Sequence, residues 1–348
     1  MSKNLIGIDF GHGVIRAAEV TPAGKRKPVL NRYHEVPVPP DAVKEGVVVD
    51  HVVVVEALKR LWAEAGFTTK RVVIGMGSQQ VLIRELVVPR MSLAHVRETL
   101  PFRVQDLLPL PVEDAVLDFF PIEEVDADGA PALRGLLVAA TRESVLANAM
   151  AAEAAGLRTV DVDLIPFAVS RTHLNADGEG TQVLLHVGAV STSIIVANAG
   201  VPQFVRVLPS GGADVTAALA ERMGIGLDRA DELKRNTGLV ADHRDPESAI
   251  VARINADSAD EVVQAVRSTI AFYRHAHADV EIDAIVLSGG GAELRGLAEL
   301  LAEATDVPVS TGRAADRFTL GSRVDEAAFL AAGPAPAVAL GLTMRSAA

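Results

Sequence analysis

The chain of 348 residues contains no cysteine. This absence excludes disulfide scaffolds, thiolate metal sites and cysteine nucleophiles together. Aromatic residues make up only 4% of the chain, which is too few for the ring platforms on which single-stranded nucleic acids stack. Any ligand site must therefore rely on backbone groups, hydroxyls, imidazoles and charged side chains.

Positive charge is also scarce, since 33 Lys and Arg stand against 45 Asp and Glu, giving a formal net charge of −12. A protein that binds nucleic acid or anionic lipid carries the opposite sign. No stretch reaches the roughly 18–20 apolar residues that span a bilayer. The first residues also lack the apolar core and small-residue cleavage site of a secretion signal. We expect a cytoplasmic chain that reaches a membrane only through a partner.

Hydrophobic residues make up 49% of the chain, which is enough to build large cores. At about 150 residues per domain, the length predicts two domains or slightly more. A strand–turn–strand pattern opens the chain at 5–20 and returns at 183–197, with His186 at the position of Asp9. This repeat at about half the chain length predicts an internal duplication and two similar α/β lobes that face each other.

Three glycine turns each follow a buried strand, at 11–13, 188–192 and 288–291. Glycine permits positive φ and lets backbone N–H groups approach an anion closely. The third turn is predicted to open a helix, whose N-terminus favours negative charge. One such turn alone indicates only a tight turn, but three together predict a nucleotide cleft between the lobes. The chain has neither a Walker-type loop nor a GxGxxG sequence that opens a helix.

The segments between these turns contain residues that typically begin or end a helix. Asp50 and Ser92 are predicted N-caps, and Gly66 is predicted to end the first helix. The helix after Ser92 carries an apolar stripe that could either dock a partner or be buried against its own strands: Val96, Leu100, Val104 and Leu107. Further helices are predicted over 142–155, 214–235 and 258–275, and 175–180 is predicted to be a loop or boundary.

The first turn resembles that of a known superfamily. Residues 7–11 (GIDFG) with 14–17 (VIRA) are similar to the first phosphate loop of the actin, sugar kinase and DnaK-type ATPases. Within this superfamily the chain resembles the family of the type IV pilus assembly protein PilM and its relative FtsA. The supporting stretches follow in family order over nearly the whole chain: 87–92, 108–111, 162–168, 210–216, 230–234, 287–291 and 339–342.

The resemblance implies an α/β, two-lobed actin-like fold, which is a duplicated ribonuclease H-like fold with a small αβ insert in the first lobe. The insert is expected to bind a partner. The expected divisions are 1–88 plus 164–178 for the first lobe, 89–163 for the insert, 179–210 plus 282–348 for the core of the second lobe, and 211–281 for its helical subdomain.

The resemblance also implies a site for ATP or ADP with Mg²⁺. Asp9 would hold the Mg²⁺ through water. The β- and γ-phosphates would lie against Gly11, His12 and Gly13, and the opposite loop would be formed by Gly188, Ser191 and Thr192, with Gly212 beside it. Asp231 and Lys234 match positions near the ribose and adenine, although a solvated helix face would explain them as well. The adenosine would pack against Gly289, Gly290 and Gly291.

Two positions depart from the family pattern. His186 stands where the second loop normally carries a carboxylate, and neutral imidazole is a poor ligand for Mg²⁺. Ile165 stands where a glutamate is often found. Phosphoryl transfer depends on positioning and charge stabilisation, so these losses should reduce turnover far more than binding. We expect nucleotide binding with little or no hydrolysis, and we assign no catalytic residue.

The resemblance implies a cytoplasmic scaffold of the type IV pilus inner-membrane complex. Its groove beside the insert would bind the short N-terminal tail of a PilN-like membrane protein. Other inner-membrane pilus components and self-association are further expected contacts. An FtsA-like polymerising division protein and an active small-molecule kinase or ATPase are the alternatives. Residues 334–348 contain a single charged residue and two prolines, which is unlike an amphipathic membrane anchor and favours the pilus hypothesis.

Overall fold

The computed structural model describes residues 4–22, 27–77, 81–174, 179–242, 244–277 and 280–344. Residues 1–3 of the N-terminal segment, 175–178 of the predicted boundary loop and 345–348 of the C-terminal segment lie outside this range. Among the described residues, strands pair into two mixed sheets, a three-stranded antiparallel sheet and a small hairpin.

The first lobe is built on a mixed sheet. Its strands are β1 (Leu5–Gly11), β2 (Val14–Thr21), β3 (Val29–Pro37), β6 (Arg71–Met76), β10 (Arg158–Leu164) and β16 (Thr319–Leu320), and the small hairpin between them is β4 (Val43–Lys44) with β5 (Val47–Val48). The order across the sheet is β10–β6–β1–β2–β3–β16. The first three strands form an antiparallel meander, and β6 and β10 run parallel to β1. Residues such as Ile6 and Ile8 in β1 are fully buried, as continuous apolar runs in central strands require.

The second lobe repeats this arrangement. Its strands are β11 (Thr181–Val187), β12 (Thr192–Asn198), β13 (Val201–Leu208), β14 (Ala284–Ser288) and β15 (Val309–Thr311). Their order is β13–β12–β11–β14–β15, in which an antiparallel meander again continues into parallel strands. The duplication predicted from the spacing of the two strand–turn–strand patterns is therefore present in the sheet topology.

The insert has its own sheet, in the order β7 (Val81–Pro89), β9 (Ala130–Thr141), β8 (Ala115–Ala127), covered by helix α2 (Leu93–Arg103). Its limits differ from the expected 89–163 at both ends. Strand β7 pairs with β9, so the insert begins before residue 89. Strand β10 lies inside the expected range but pairs with β6 of the first lobe. A strand does not reveal its partner locally, and we propose 81–141 as the insert.

The remaining α-helices lie around these sheets: α1 (His51–Ala65), α3 (Arg142–Ala154), α4 (Ile165–His173), α5 (Gly212–Met223), α6 (Leu227–Thr237), α7 (Pro246–Ala276), α8 (Leu297–Thr305), α9 (Glu326–Ala331) and α10 (Ala337–Leu342). The predicted caps are confirmed. The Asp50 side chain accepts a hydrogen bond from the N–H of Val53 and Gly66 is left-handed, while the Ser92 hydroxyl accepts one from the N–H of His95.

The helical subdomain is helical where the sequence predicts it, but one of its helices has a different start. The helical stretch expected over 214–235 consists of two helices, because Gly224 at φ +66° ends α5 and α6 starts again at Leu227. The helix expected from 258 begins earlier, at Pro246, where the Asp245 side chain accepts a hydrogen bond from the N–H of Glu247. Packing of α5, α6 and α7 on one another buries Leu219, Leu233 and Val251 and fixes these boundaries.

The C-terminal segment returns to the first lobe, whereas all of 282–348 was expected in the second. Strand β16 pairs with β3, and α10 packs against β1, β2, β6 and α4. The approach is so close that a Cβ at Gly7 would lie 2.0 Å from the carbonyl oxygen of Ala339. A central apolar cluster joins α10 and α4 to both large sheets; it includes Ala18, Leu30, Phe167, Leu184, Ile195 and Leu340.

Candidate functional site

The first glycine turn places a carboxylate and a guanidinium side by side. Asp9 and Arg16 are cross-strand partners in β1 and β2, and the Arg16 Nη1 lies 3.5 Å from the Asp9 Oδ2. A Cβ at Gly11 would lie 2.9 Å from the same Nη1, so the guanidinium lies directly against the turn. Burial raises the pKa of Asp9, and the neighbouring positive charge of Arg16 offsets part of this effect.

Arg16 is held from a second side by β3. Its Nε donates to the Glu35 carboxylate at 3.2 Å, and the Tyr33 hydroxyl donates to the same carboxylate oxygen at 2.9 Å. The tip of the turn is different, because His12 is exposed and Gly13 has φ +74°. Of the candidates in this turn, Asp9 and Gly11 lie against Arg16, Gly13 lies near Val38 and Pro40, and His12 is exposed.

Arg16 was not predicted as a site residue from the sequence, although it lies in the segment that resembles the first phosphate loop. The signal was present, because a two-residue turn between antiparallel strands fixes their register. With His12 and Gly13 as the turn, Asp9 must lie opposite Arg16. Cross-strand partners project to the same face of the sheet, so an Asp–Arg pair was predictable at this position.

The second turn is closed by its own hydrogen bonds. The Gly188 N–H donates to the Ser191 carbonyl at 2.9 Å, and the Gly188 carbonyl accepts from the Gly212 N–H at 2.9 Å. Thr192 is fully buried and its hydroxyl donates to the Ser210 carbonyl at 2.8 Å. The structure therefore brings these four candidates together. The N–H groups of Gly188 and Gly212 are engaged within the protein, and Thr192 braces the turn.

His186 lies between the first and third turns. Its Nδ1 lies 3.2 Å from the Ser288 Oγ, and a Cβ at Gly289 would lie 3.1 Å from its Cε1. Burial lowers the pKa of His186 to about 3, and the positive charges of His173 and Arg16 add to this effect. The imidazole is therefore neutral at pH 7. It is influenced electrostatically by the first lobe and is in contact with the second.

The three glycines of the third turn have different surroundings. Gly289 has φ +78°, and a Cβ there would lie 2.4 Å from the Val187 carbonyl oxygen. A Cβ at Gly291 would lie 2.3 Å from the Val187 Cγ1, whereas a Cβ at Gly290 meets no atom within 4 Å. The turn thus packs tightly on β11 and leaves open space over Gly290.

The third turn does not open an α-helix, which corrects the sequence prediction. Residues 290–293 form one 3₁₀ turn, and α8 begins only at Leu297. The N-terminus of α8 therefore cannot supply its dipole to a ligand at this turn. What the turn offers is a glycine surface that a planar group can approach closely.

Asp231 and Lys234 of α6 are tied to the second turn. The Lys234 Nζ donates to the Gly212 carbonyl at 3.0 Å and to the Thr216 hydroxyl at 2.7 Å, and lies 2.7 Å from the Asp231 Oδ1. The Lys234 side chain is only 13% exposed, so the solvated-face interpretation is wrong for Lys234. Burial acts to raise the pKa of Asp231, but hydrogen bonds from Lys234 and Arg235 outweigh it and leave the pKa lowered.

Ile165 begins α4 and packs on the end of β6, where a Cβ at Gly77 would lie 2.7 Å from its Cδ1. The nearby carboxylate of Asp163 is buried and forms an ion pair with Arg171. Among the described residues, no group of three or more His, Asp or Glu side chains is placed to hold a metal ion. Asp9, the residue expected to hold Mg²⁺ through water, is in contact with Arg16.

A surface cavity of about 590 Å³ lies elsewhere, between the end of α6, α7 and α8. Leu239, Arg295 and Glu299 are among its lining residues, and none of the candidate site residues lines it. It shares no residue with the turns described above and is a separate surface feature. In the part of the chain that the structure describes, no helix is long and apolar enough to cross a membrane.

Comparison with solved structures defines the class of protein. The chain is similar to MreB5 of Spiroplasma citri bound to ADP, at 12% identity over 90% of this chain and 92% of that one, with a TM-score of 0.57. It is equally similar to the ethanolamine utilization protein EutJ from Carboxydothermus hydrogenoformans, at 15% identity over 99% and 90% of the two chains and a TM-score of 0.57. These likenesses show an actin-like ATPase fold.

The family follows from two further comparisons. Residues 7–347 match the family model of the type IV pilus assembly protein PilM, and the chain belongs to that family. A solved PilM-PilN type IV pilus biogenesis complex contains a chain that is 28% identical, with 99% of both chains covered and a TM-score of 0.85.

A curated relative is more distant. The cell division protein FtsA of Bacillus subtilis (strain 168) is 23% identical over 229 residues, which is 58% of this chain and 51% of FtsA. The chain thus spans about half the length of that curated relative.

Proposed function

We propose that this chain is an actin-like, nucleotide-binding scaffold of a type IV pilus assembly complex, held at the inner face of the membrane by a PilN-like partner. The observation that carries the proposal is the similarity to the PilM-PilN complex over 99% of both chains. The family match over 7–347 supports the same conclusion. The FtsA likeness covers only about half of that protein and gives the division alternative little support.

The surroundings of the glycine turns support ATP or ADP as the ligand. Gly290 borders open space, Gly289 and Gly291 let the turn pack closely on β11, and Arg16 supplies positive charge beside the first turn. MreB5, which shares the fold, is described as bound to ADP. A neutral His186 is a poor ligand for Mg²⁺ and lacks the negative charge with which a carboxylate orients water, so we expect phosphate release well below the roughly 1 s⁻¹ of slow enzymes.

Three of the four residues of the apolar stripe predicted after Ser92 are not accessible to a partner, whereas the fourth, Leu107, is 38% exposed. Val96, Leu100 and Val104 are fully buried against the insert's own strands, so the interpretation of the stripe as internal core is confirmed for these residues. Exposed apolar side chains lie instead where α3 packs against α1, β5 and β8. We name this the junction surface; it consists of Val49, Val52, Val116, Leu146 and Met150, which are between 39% and 75% exposed.

The junction surface suits a short peptide with apolar side chains. Leu146 and Met150 are one helical turn apart on α3 and present one face. Contiguous exposed apolar side chains of this kind mark interaction sites on soluble proteins. An extended tail from a membrane protein can seat a few side chains there, and tethering of several copies in a complex would strengthen a moderate affinity.

The test is a titration of the full chain with a synthetic peptide of the N-terminal cytoplasmic tail of the PilN-like protein encoded beside it. We expect Met150→Glu to weaken binding at least about tenfold, since a buried charge lacks a partner at an apolar contact. The matched control is Phe102→Glu, because Phe102 is an 84% exposed apolar residue of α2 outside the junction surface. Absence of peptide binding by the parent chain would contradict the pilus proposal. If only Phe102→Glu weakens peptide binding, the docking site lies on α2 instead.

A further inference from the structure

A cavity of about 250 Å³ lies at the end of the first-lobe sheet where β1 begins. We name it the arginine pocket. A residue of a strand advances about 3.3 Å, so the pocket lies roughly 20 Å from the first glycine turn, which is at the other end of β1. None of its polar lining side chains is acidic: Asn4, Asn31, Arg32, Thr68, Ser322 and Arg323.

The pocket forms because the C-terminal segment returns to the first lobe. Strand β16 pairs with β3, and the Gly321 N–H then donates to the Leu30 carbonyl at 2.8 Å. A Cβ at Gly321 would lie 2.9 Å from that carbonyl oxygen, so the close approach of the two backbones favours glycine. The next two residues, Ser322 and Arg323, are thereby brought beside β3 as one wall of the pocket.

Three of the lining residues hold a buried carboxylate. Glu19 is fully buried and accepts hydrogen bonds from the Asn4 Nδ2 at 2.7 Å, the Thr68 N–H at 3.0 Å and the Arg32 Nη1 at 3.2 Å. Burial acts to raise the pKa of Glu19, but these hydrogen bonds and the charge of Arg32 outweigh it and leave the pKa lowered. Glu19 is therefore ionised at pH 7 and balances the charge of Arg32.

The positive charge of Arg323 has no such balance. Among the described residues, its exposed side chain has no hydrogen-bond or ion-pair partner. The next acidic residue along the chain, Asp325, instead accepts a hydrogen bond from the N–H of Ala328 at the start of α9. Within the same part of the chain, Arg32 uses one of its five N–H donors on Glu19. The pocket thus has one uncompensated guanidinium and further N–H donors.

More positive charge lies at the same end of the sheet. Strands β6 and β10 run parallel to β1, so all three begin at this end, and β3 begins there as well. Lys27, Lys70 and Arg158 lie at or just before the starts of β3, β6 and β10, and all three are exposed. On a chain with a net charge of −12, this concentration of cations creates a local potential that attracts anions.

We propose that the arginine pocket binds a phosphate group, at a site separate from the glycine turns. A phosphate accepts several hydrogen bonds at once, and the planar fork of arginine matches its geometry. Arg323 supplies the charge, while the Ser322 hydroxyl and the remaining N–H groups of Arg32 supply further donors.

The volume bears on the kind of phosphate. A water molecule takes up about 30 Å³ of liquid, so a pocket of about 250 Å³ holds a phosphate together with waters or part of an attached group. Inorganic phosphate and the phosphate of a membrane lipid headgroup share this chemistry, and the experiment has one arm for each. The proposal does not depend on the proposed pilus or nucleotide-binding function.

The first arm is a calorimetric titration of the full chain with inorganic phosphate, at an ionic strength held constant with sodium chloride. Arg323→Gln should weaken phosphate binding at least about tenfold, and Arg323→Lys should weaken it less because it keeps the charge. Ser322→Ala should weaken it about threefold, as expected for one neutral hydrogen bond. Because each effect is a difference from the parent chain, phosphate that also occupies the nucleotide site does not enter the comparison.

The second arm is co-sedimentation of the full chain with vesicles of phosphatidylglycerol and phosphatidylcholine, and with vesicles of phosphatidylcholine alone. Binding to the anionic vesicles that is lost in Arg323→Gln supports the proposal with a lipid headgroup as the source of the phosphate. Arg323-dependent binding of inorganic phosphate without vesicle binding supports it with free phosphate as the source.

The matched control is Arg253→Gln, because Arg253 is an exposed arginine of α7 whose side chain also lacks a partner among the described residues. It should retain the parent affinity for both probes. Thermal unfolding without phosphate checks the fold, and the exposed position of Arg323 predicts an unchanged midpoint for Arg323→Gln. If neither probe binds, or if Arg323→Gln binds both as the parent chain does, the proposal is overturned.

Discussion

At the scale of single residues, the third turn shows how three successive glycines have different structural roles. Gly289 needs glycine because its φ is +78° and a side chain would strike the Val187 carbonyl. Gly291 needs it because β11 leaves no room for a Cβ. Gly290 borders empty space, so its own packing does not require glycine. We propose that the adenosine fills this space, which would give a physical reason to keep a side chain out.

We predict that Gly290→Val greatly weakens ATP binding without loss of fold. The valine side chain fills the space proposed for the adenosine and meets no protein atom that must move. Binding titration and thermal unfolding measure the two effects. The matched control is Gly226→Val, because Gly226 at the start of α6 also has open space around its Cβ position and an extended backbone. Unchanged ATP affinity in folded Gly290→Val protein would refute the placement of the ligand.

His186 links the site to stability through protonation. Its pKa is about 3 in the folded protein, below the ordinary value of 6.5. The unfolded chain therefore binds more protons between these values, and stability is lost as the pH falls through this window. We predict that the parent chain loses about 2 kcal/mol more than His186→Gln between pH 7 and pH 5, measured by urea unfolding.

The same prediction has a direct spectroscopic form. The ring signals of His186 should not titrate between pH 5 and pH 8, because the imidazole remains neutral throughout. His173 has a pKa lowered in the same direction by burial, and it is present in both chains, so it cancels in the comparison. Equal pH dependence in the parent chain and in His186→Gln would mean that the imidazole is not held neutral.

At the scale of elements, α2 shows why a helical apolar stripe does not reveal what covers it. Leu100 is fully buried within the insert, and the neighbouring Phe102 is 84% exposed. The two residues lie on the same helix and have similar hydrophobicity. Their exposures differ because β8 and β9 lie on one side of the helix. Which side is covered is determined only by the pairing of the insert's strands.

We predict that Leu100→Ala lowers the free energy of unfolding of the insert by about 2–5 kcal/mol, because it leaves a cavity in a small core. Phe102→Ala should change stability by less than about 0.5 kcal/mol, since that ring contacts mostly solvent. Denaturant unfolding and limited proteolysis of the full chain measure both effects. Similar losses in the two variants would contradict the packing of α2 described above.

At the scale of the whole molecule, α10 joins the two ends of the chain. Residues 337–342 are buried and pack on α4 and on the strands of the first lobe. A Cβ at Gly341 would lie 2.0 Å from the Ala168 carbonyl oxygen, which is backbone and cannot rotate away. The central cluster that α10 completes also contains side chains of the second-lobe sheet. The stability of both lobes therefore depends on this helix.

We predict that Gly341→Ala destabilises the whole chain by about 3 kcal/mol or more, because α10 must move away from α4. Both lobes should unfold in a single transition at a lower midpoint, measured by circular dichroism and by the fluorescence of Trp62 in the first lobe. A matched control is Gly226→Ala, where the added methyl group meets no atom within 4 Å. An unchanged unfolding midpoint for Gly341→Ala would contradict this close approach.

The sequence by itself determined the features that depend on neighbouring residues. The caps at Asp50 and Ser92, the end of α1 at Gly66 and the glycine turns follow from local hydrogen bonding and from the conformational freedom of glycine. The repeated strand–turn–strand pattern and the ordered family stretches were also present in the sequence, so the duplicated actin-like fold and the pilus family could be predicted. Even the Asp9–Arg16 pair was within reach, because a two-residue turn fixes its register.

Only the tertiary structure decided the features that depend on residues distant in sequence. Strand β7 joins the insert and β10 joins the first lobe because of the strands beside which they lie. The return of α10 to the first lobe and the burial of the α2 stripe likewise result from packing between remote segments. Side-chain period and propensity report how a segment is folded, whereas its partner is selected by the burial of apolar surface across the whole chain.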